Sequence, residues 1–172
     1  MNETLKIIET RRSVKSFSDK MPSREDIEAI LKAGTLAASG RNLQSYFMVA
    51  ITDKKTRDKL SGANASILGV KTDPFYGAPV IIVVLAKKSV NTHVYDGSLS
   101  LGNMMLAAHS LGLGSCWIHR ARETFELDEW KKFIKDLGLT EEYEGIGNLA
   151  LGYPSGDYPA NKERLDGRIF IV

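Results

Sequence analysis

The stretch from Asp96 to Arg120 leaves this chain few ways to fold. Asp96, Ser100, Asn103, Ala107 and Ser110 share one narrow stripe of a helical wheel, and Leu99, Leu101, Met104, Met105, Leu106, Ala108 and Leu111 fill the other directions. A helix that is apolar over most of its circumference is buried or lies in an interface. Gly112 and Gly114 end it, because glycine accepts the left-handed conformation that closes a helix. Cys116-Trp117-Ile118 then reads as a short apolar strand. The unit is a core helix feeding an interior strand, with backbone exposed where that strand stops.

The rest of the chain is arranged around this unit. Residues 2 to 10 carry Leu5, Ile7 and Ile8, enough for a short helix, and Arg11-Arg12-Ser13-Val14-Lys15 interrupts it. Ser23 caps a second helix with Glu25 and Asp26 in its first turn and an apolar face of Ile27, Ile30, Leu31, Gly34, Ala37 and Ala38. The small residues Ala33, Gly34, Ala37 and Ala38 let another backbone approach. Ser39 to Ser45 is a polar loop, Tyr46 to Ile51 a strand, and Thr52-Asp53 the cap of a helix through Leu60 that resumes near Ala65. Asp73 to Pro79 is rich in breakers. Val80 to Leu85 is a continuous apolar run dominated by β-branched residues, as in a strand buried on both faces. Thr124 starts a helix carrying Leu127, Trp130, Phe133, Ile134 and Leu137 and closed by Gly138. Asn148 to Tyr153 and Arg168 to Val172 read as the last strands. Two leading helices followed by alternating strands and helices predict an α+β or three-layer sandwich, with helices covering a small sheet. No repeat, charged linker or domain boundary is visible, so one domain is expected over residues 1–172.

Composition removes several classes of function. A net charge of +2 gives no argument for nucleic acid. The single cysteine, Cys116, excludes an intrachain disulfide and a cysteine zinc cluster, and His93, His109 and His119 lack ligand-like spacing, so no metal site is expected. The longest apolar run, Ala78 to Ala86, contains Pro79 and is too short to span a membrane. With no signal-peptide core at the N-terminus, a cytoplasmic protein is expected.

Chemistry must then come from four polar segments: Arg11 to Lys15, Ser39 to Gln44, Ser115 to Arg120, and Lys162 to Arg164. Taken singly, each has an ordinary reading. Paired arginines near a terminus and cations in a tail are commonly solvated surface. A Ser/Gly/Asn/Gln loop is commonly a turn, and Gly-Leu-Gly-Ser a helix stop. His109 falls beside Met105 and Gly102 on the apolar face and reads as a packed or interface histidine. Trp117 reads equally as a core tryptophan. There is no Gly-rich phosphate loop of Rossmann or Walker type, and no credible Ser/His/Asp arrangement.

Taken in order, the segments are more specific. Arg11-Arg12-Ser13-Val14-Lys15, Ala38-Ser39-Gly40-Arg41-Asn42-Leu43-Gln44, Phe75-Tyr76-Gly77-Ala78-Pro79, Leu101 to Ile118, Gly152-Tyr153-Pro154 and Lys162-Glu163-Arg164 follow one another. The ordered set resembles the nitroreductase-like flavoprotein family, over almost the whole chain from about Leu5 to Arg164.

That resemblance implies an α-β-α sandwich in a domain-entwined homodimer, with flavin mononucleotide (FMN) at the subunit interface. It implies that Arg11, Ser13, Lys162 and Arg164 hold the phosphate, a role for which arginine's planar fork is suited. Arg12 is expected against the flavin and Lys15 near its pyrimidine edge, where a cation raises the flavin potential. Ser39, Asn42 and Gln44 are expected near flavin bound mainly by the partner. Trp117 is expected under or beside the ring, and the backbone N–H groups of His119 and Arg120 near N5 and O4. The implied activity is hydride transfer from NADH or NADPH through FMN to a nitroaromatic, quinone or similar flat acceptor, with no catalytic side chain. The alternatives are a flavoprotein of this fold without nicotinamide turnover, or a flavin-binding regulatory module. The chain departs from the family in Ala38, Ser45-Tyr46 and His119-Arg120, and Lys71 or Asp73 stands where an asparagine usually reads the pyrimidine. Cys116 is expected to be a buried, inert thiol.

Overall fold

A computed structural model describes residues 1–172. Its centre is the β-branched run, which forms strand β2 (Val80–Lys87) of a four-stranded sheet, between β1 (Tyr46–Ile51) and β4 (Tyr143–Gly152), with β3 (Gly114–Ile118) outside β4. Every neighbouring pair is antiparallel. The side-chain alternation of β2 divides the core in two. Ile81, Val83 and Leu85 meet Leu60 of α3 (Lys54–Leu68), Phe125 of α5 (Ala121–Phe125), and Trp130 and Ile134 of α6 (Asp128–Asp136). Val80, Ile82, Val84 and Ala86 face the other way, onto Ile27 and Ile30 of α2 (Arg24–Thr35) and Leu101, Met104 and Ala108 of α4 (His93–Ser110). The result is the expected three-layer α-β-α sandwich of the α+β class, with α1 (Glu3–Thr10) laid against α4.

Local chemistry explains where these elements start and stop. The Ser23 hydroxyl accepts from the Asp26 N–H at 3.0 Å and starts α2; the Asp53 carboxylate does the same for α3 through Thr56 at 2.8 Å. Gly34 is where α2 passes over the sheet and α4: a Cβ there would stand 3.0 Å from Met104 Cγ and Ser100 Oγ. Gly114 has the same role at the edge of the sheet, where a Cβ would stand 2.7 Å from Val14 Cγ2. That absence of bulk lets the segment after α1 lie along β3, pairing Ser13 with Ser115 and donating the Val14 N–H to the Ser115 carbonyl at 3.0 Å.

The structure revises several boundaries. Helix α4 begins at His93 rather than Asp96, and its Asp96–Ser100 stripe faces inward, with both side chains buried. Helix α3 runs unbroken to Leu68, because buried Ser61 and Asn64 replace apolar residues on its inner face. The helix expected from Thr124 is two helices meeting at Leu127, which has extended backbone. Strand β4 starts at Tyr143, five residues before Asn148, through pairing with the far end of β2. Arg168 to Val172 forms no strand within the protomer; it is exposed and pairs with neither edge of the sheet. No helix is long and apolar enough to cross a membrane.

Candidate active site

The N-terminal cations reach the sheet because of the Ser13–Ser115 bridge. This places Arg11, Arg12, Ser13 and Lys15 beside Cys116 and Trp117 of β3. On the opposite side the chain leaves β4, pairs Phe17 with Pro154, and returns over the same spot with Pro159, Ala160, Lys162 and Arg164. Together these residues line a cavity of about 630 Å³, a volume typical of a cofactor or ligand site. Five cationic side chains line it and no carboxylate does.

The charges are not spent within the chain. Nη1 of Arg11 and Nε of Arg12 are buried without a hydrogen-bond partner. A buried guanidinium nitrogen left unpaired is costly, and an acceptor oxygen reaching it would relieve that cost. Arg12 differs from Arg11 in one respect. Its Nη1 donates to the carbonyls of Glu9 and Arg11 at 2.6 and 2.7 Å, capping the end of α1, so its guanidinium is partly a structural brace. The Lys15 ammonium lies 5.9 Å from the Tyr76 ring centroid. Trp117 is half-buried, packed against the α2–α4 core and also lining the cavity. Burial pushes the Cys116 thiol up, against the opposing pull of Lys15, Ser13 and Arg11, which keeps it a thiol.

The turn after β3 is held from behind. The His119 carbonyl accepts from Nδ2 of buried Asn64 at 2.9 Å, and Nδ2 of Asn148 lies 3.4 Å away. Asn64 Oδ1 accepts from Arg120 Nε at 3.1 Å, and Arg120 takes a left-handed φ of 70°. Neither the His119 nor the Arg120 backbone N–H meets an acceptor in the chain. Two free donors at a strained, braced turn are the pattern expected where a ligand approaches the backbone. Asn64 was not singled out in the sequence; a lone asparagine inside a helix carries no signal of what it faces.

Asp73 is not a free ligand group. It accepts from Arg57, from the Ser61 hydroxyl at 2.6 Å, and from the Phe75 and Gly77 N–H groups at 2.9 and 2.8 Å. Burial works against the charged form, but these partners outweigh it and hold the carboxyl below its usual range. Its task is to fold the loop before β2. Lys71 is exposed, outside the residues lining the cavity.

The second polar loop lies elsewhere. Ser39, Asn42 and Gln44 do not line the cavity; their loop borders a separate hollow of about 310 Å³ with Ser89 to Thr92. The loop is self-bonded, with Ser39 Oγ accepting from the Gln44 N–H at 3.0 Å and Asn42 Oδ1 accepting from Gln44 Nε2 at 3.1 Å. Arg41, Asn42 and Gln44 all have positive φ, between 46° and 55°. Buried Asp96 holds the loop in place. Its carboxylate accepts from the Gly40 N–H and from the Ser45 and Thr92 hydroxyls, each at 3.0 Å.

Comparison with known proteins agrees with this geometry. The model of the Nitroreductase family matches residues 8–153. A protein of Archaeoglobus fulgidus, provisionally described as an NADH dehydrogenase/NAD(P)H nitroreductase, is 34% identical over 161 residues, which cover 91% of this chain and 88% of that protein. The NADPH-type FMN reductase of Bacillus subtilis is 25% identical over 182 residues, covering 96% of this chain and 71% of the reductase. Among solved structures, a nitroreductase with bound FMN from Bacteroides fragilis superposes with a TM-score of 0.89 at 30% identity, over all of both chains. One from Desulfitobacterium hafniense, also with bound FMN, gives 0.86 at 27% identity over 99% of each. The chain belongs to the nitroreductase family.

Proposed function

We propose that this protein is an FMN-dependent NAD(P)H oxidoreductase of nitroreductase type, acting as a homodimer with its flavin site completed by the partner subunit. The flavin and nicotinamide are the cofactor and reductant named for its relatives. One observation carries the cofactor reading: Arg11 and Arg12, each with a buried guanidinium nitrogen left unpaired, line a carboxylate-free cavity together with Lys162 and Arg164. A phosphate dianion satisfies that set of donors. Held by these residues, FMN would supply the redox chemistry that links NADH or NADPH to a nitroaromatic, quinone or similar flat acceptor.

The chain's own residues supply binding and electrostatics. Arg11, Ser13, Lys162 and Arg164 hold phosphate, and Arg12 braces the end of α1 while lining the same cavity. Lys15 places a positive charge that favours added electron density on the ring. The free N–H groups of His119 and Arg120, held by Asn64, are aimed for a ring-edge acceptor, and Trp117 forms a wall. No side chain is required as acid or base, since orientation and charge are the protein's contribution.

The dimer rests on exposed apolar surface. Tyr95 of α4 is 72% exposed, Val94 and Leu99 of the same helix are exposed as well, and Leu36, at the end of α2, is 70% exposed. The tail from Ile169 to Val172 is exposed throughout. This much unpartnered apolar surface is unusual for a monomer and suits a partner of the same kind. On this reading α4 and the tail cross between subunits, and each Ser39–Gln44 loop serves the other subunit's flavin. The whole chain acts as one FMN-binding domain, in the cytoplasm.

The test is the visible spectrum of the purified protein with FMN under anaerobic conditions. Bound flavin should bleach with NADH or NADPH and recover on adding a quinone or nitroaromatic. Flavin that stays yellow with both nicotinamides refutes nicotinamide turnover, and flavin that is not retained refutes the cavity assignment.

A further inference from the structure

The tail that carries Lys162 and Arg164 is almost free. Beyond the Ser155 N–H, which donates to the Ser16 carbonyl at 3.0 Å, one side chain joins it to the rest of the protein by hydrogen bonds. That side chain is Tyr158. Its hydroxyl oxygen accepts the Arg12 backbone N–H at 2.8 Å and lies 3.0 Å from Nδ1 of His109. The Tyr158 and His109 rings stack, with centroids 5.2 Å apart and planes at 25°. His109 Nε2 in turn lies 2.8 Å from Thr10 Oγ1.

The directions of these bonds are fixed by proton counting. Thr10 Oγ1 donates its one proton to the Lys6 carbonyl at 2.7 Å. It must therefore accept from His109, which places the ring proton on Nε2 and leaves Nδ1 an acceptor. The Tyr158 hydroxyl then donates to Nδ1, at 3.0 Å, in preference to the Arg12 carbonyl at 3.4 Å. A single chain results: Arg12 N–H to Tyr158, Tyr158 O–H to His109, His109 N–H to Thr10, and Thr10 O–H to the last turn of α1. Neutral His109 is required throughout, and burial, then Arg11 and Arg12, lowers its pKa in agreement.

We propose that His109 and Tyr158 are positioning residues that clasp the tail to the Arg12 backbone, bringing Lys162 and Arg164 over Arg11 to complete the phosphate half of the site, and so select phosphorylated flavin over its dephosphorylated form. This rests on the reading of Arg11, Lys162 and Arg164 as phosphate ligands. The clasp links three distant parts of the sequence, residues 10–12, His109 and Tyr158. Lys162 and Arg164 follow only four and six residues after Tyr158, so without it they swing on an unanchored segment. Ordering two cations before the ligand arrives lowers the entropy lost on binding. Neither clasp residue lines the cavity, so neither is expected to touch flavin.

The experiment compares FMN with riboflavin, which lacks the phosphate, by fluorescence titration of the purified full-length protein. Tyr158→Phe removes only the hydroxyl, and His109→Phe removes both nitrogens while keeping a ring to stack. Each should weaken FMN about tenfold, the scale of one ordered hydrogen bond, and leave riboflavin affinity unchanged. The double variant should be no worse than either single one, because the bonds form one chain. FMN affinity that is unchanged in both variants, equal losses for both flavins, or additive losses overturn the clasp. Arg11→Ala separates the two readings. If wild-type protein binds both flavins equally and Arg11→Ala changes neither, the phosphate assignment itself has failed. If Arg11→Ala removes the preference for FMN but the clasp variants keep it, only the clasp has.

Discussion

The two polar loops of this protein are opposites. The Arg11–Lys15 segment is short of partners: it is locked to β3 by a backbone bridge, lines the cavity, and leaves one guanidinium nitrogen of Arg11 and one of Arg12 buried and unpaired. The Ser39–Gln44 loop is saturated: it bonds to itself, is anchored by Asp96, and is held in three left-handed conformations with nothing of its own subunit to serve. Backbone strain held that firmly by a buried carboxylate is a feature of functional loops. On the proposed function, the first region is half of a flavin site and the second is the surface that a second copy would bring to it.

The comparison breaks most completely if the copies cannot meet. Leu99→Asp puts a charge on the exposed apolar face of α4. It should convert a dimer to monomers in analytical ultracentrifugation and abolish FMN retention while leaving the helical circular dichroism intact. A monomeric wild type, or a monomeric variant that still holds FMN, would separate the two regions for good.

Next in size is loss of the charges. Removing a charge-assisted bond of this kind costs about 1.5–3 kcal/mol, so Arg11→Ala or Lys162→Ala should weaken FMN by roughly ten- to hundredfold in calorimetric titration. Equal affinity for both variants and wild type would undo the assignment.

Asp96→Ala acts on the other region. Three bonds to one buried carboxylate are lost, and chemical denaturation should show a fall of about 2–3 kcal/mol. FMN binding should weaken less than in Arg11→Ala, because the loop contributes contacts and no phosphate ligand.

The smallest expected effect is a pH one. Asp73 titrates below its ordinary 3.8 in the folded chain, so its contribution is complete above that pH and is lost as pH falls through the lowered folded value. Asp73→Ala should cost about 1 kcal/mol near neutrality and flatten the acid limb of stability against pH, without altering flavin affinity. An acid limb as steep as wild type would show that other carboxylates dominate it.

What the sequence made legible follows from the range of the interactions. The alternation of β2 and the wheel of α4 are local patterns, and both elements form there, α4 starting three residues earlier and β2 running two residues further than expected. The four polar segments were legible as an ordered set, and three of them meet at one cavity or its flanking turn. The stripe of α4 misleads in part, because a buried Asp96 looks like a solvent-facing one until Gly40, Ser45 and Thr92 are placed around it. The break between α5 and α6 depends on the single extended backbone of Leu127, which no composition rule marks. Asn64, His109 and Tyr158 owe their roles to neighbours some 50 to 150 residues away, a distance at which sequence pattern carries nothing. The final residues are strand-like in composition, but a strand needs a partner, and they pair with neither edge of the protomer's sheet.

The most direct test of the two-halves account is subunit mixing. One variant carries Arg11→Ala with Lys162→Ala; the other carries Asn42→Ala with Gln44→Ala. Each alone should hold FMN poorly. After denaturation together and refolding, half of the dimers are mixed, and each mixed dimer has one site with both defects and one with none. About a quarter of all sites should then bind FMN with wild-type affinity. No recovery on mixing, with dimers formed, would contradict a site built from the cavity of one subunit and the loop of the other.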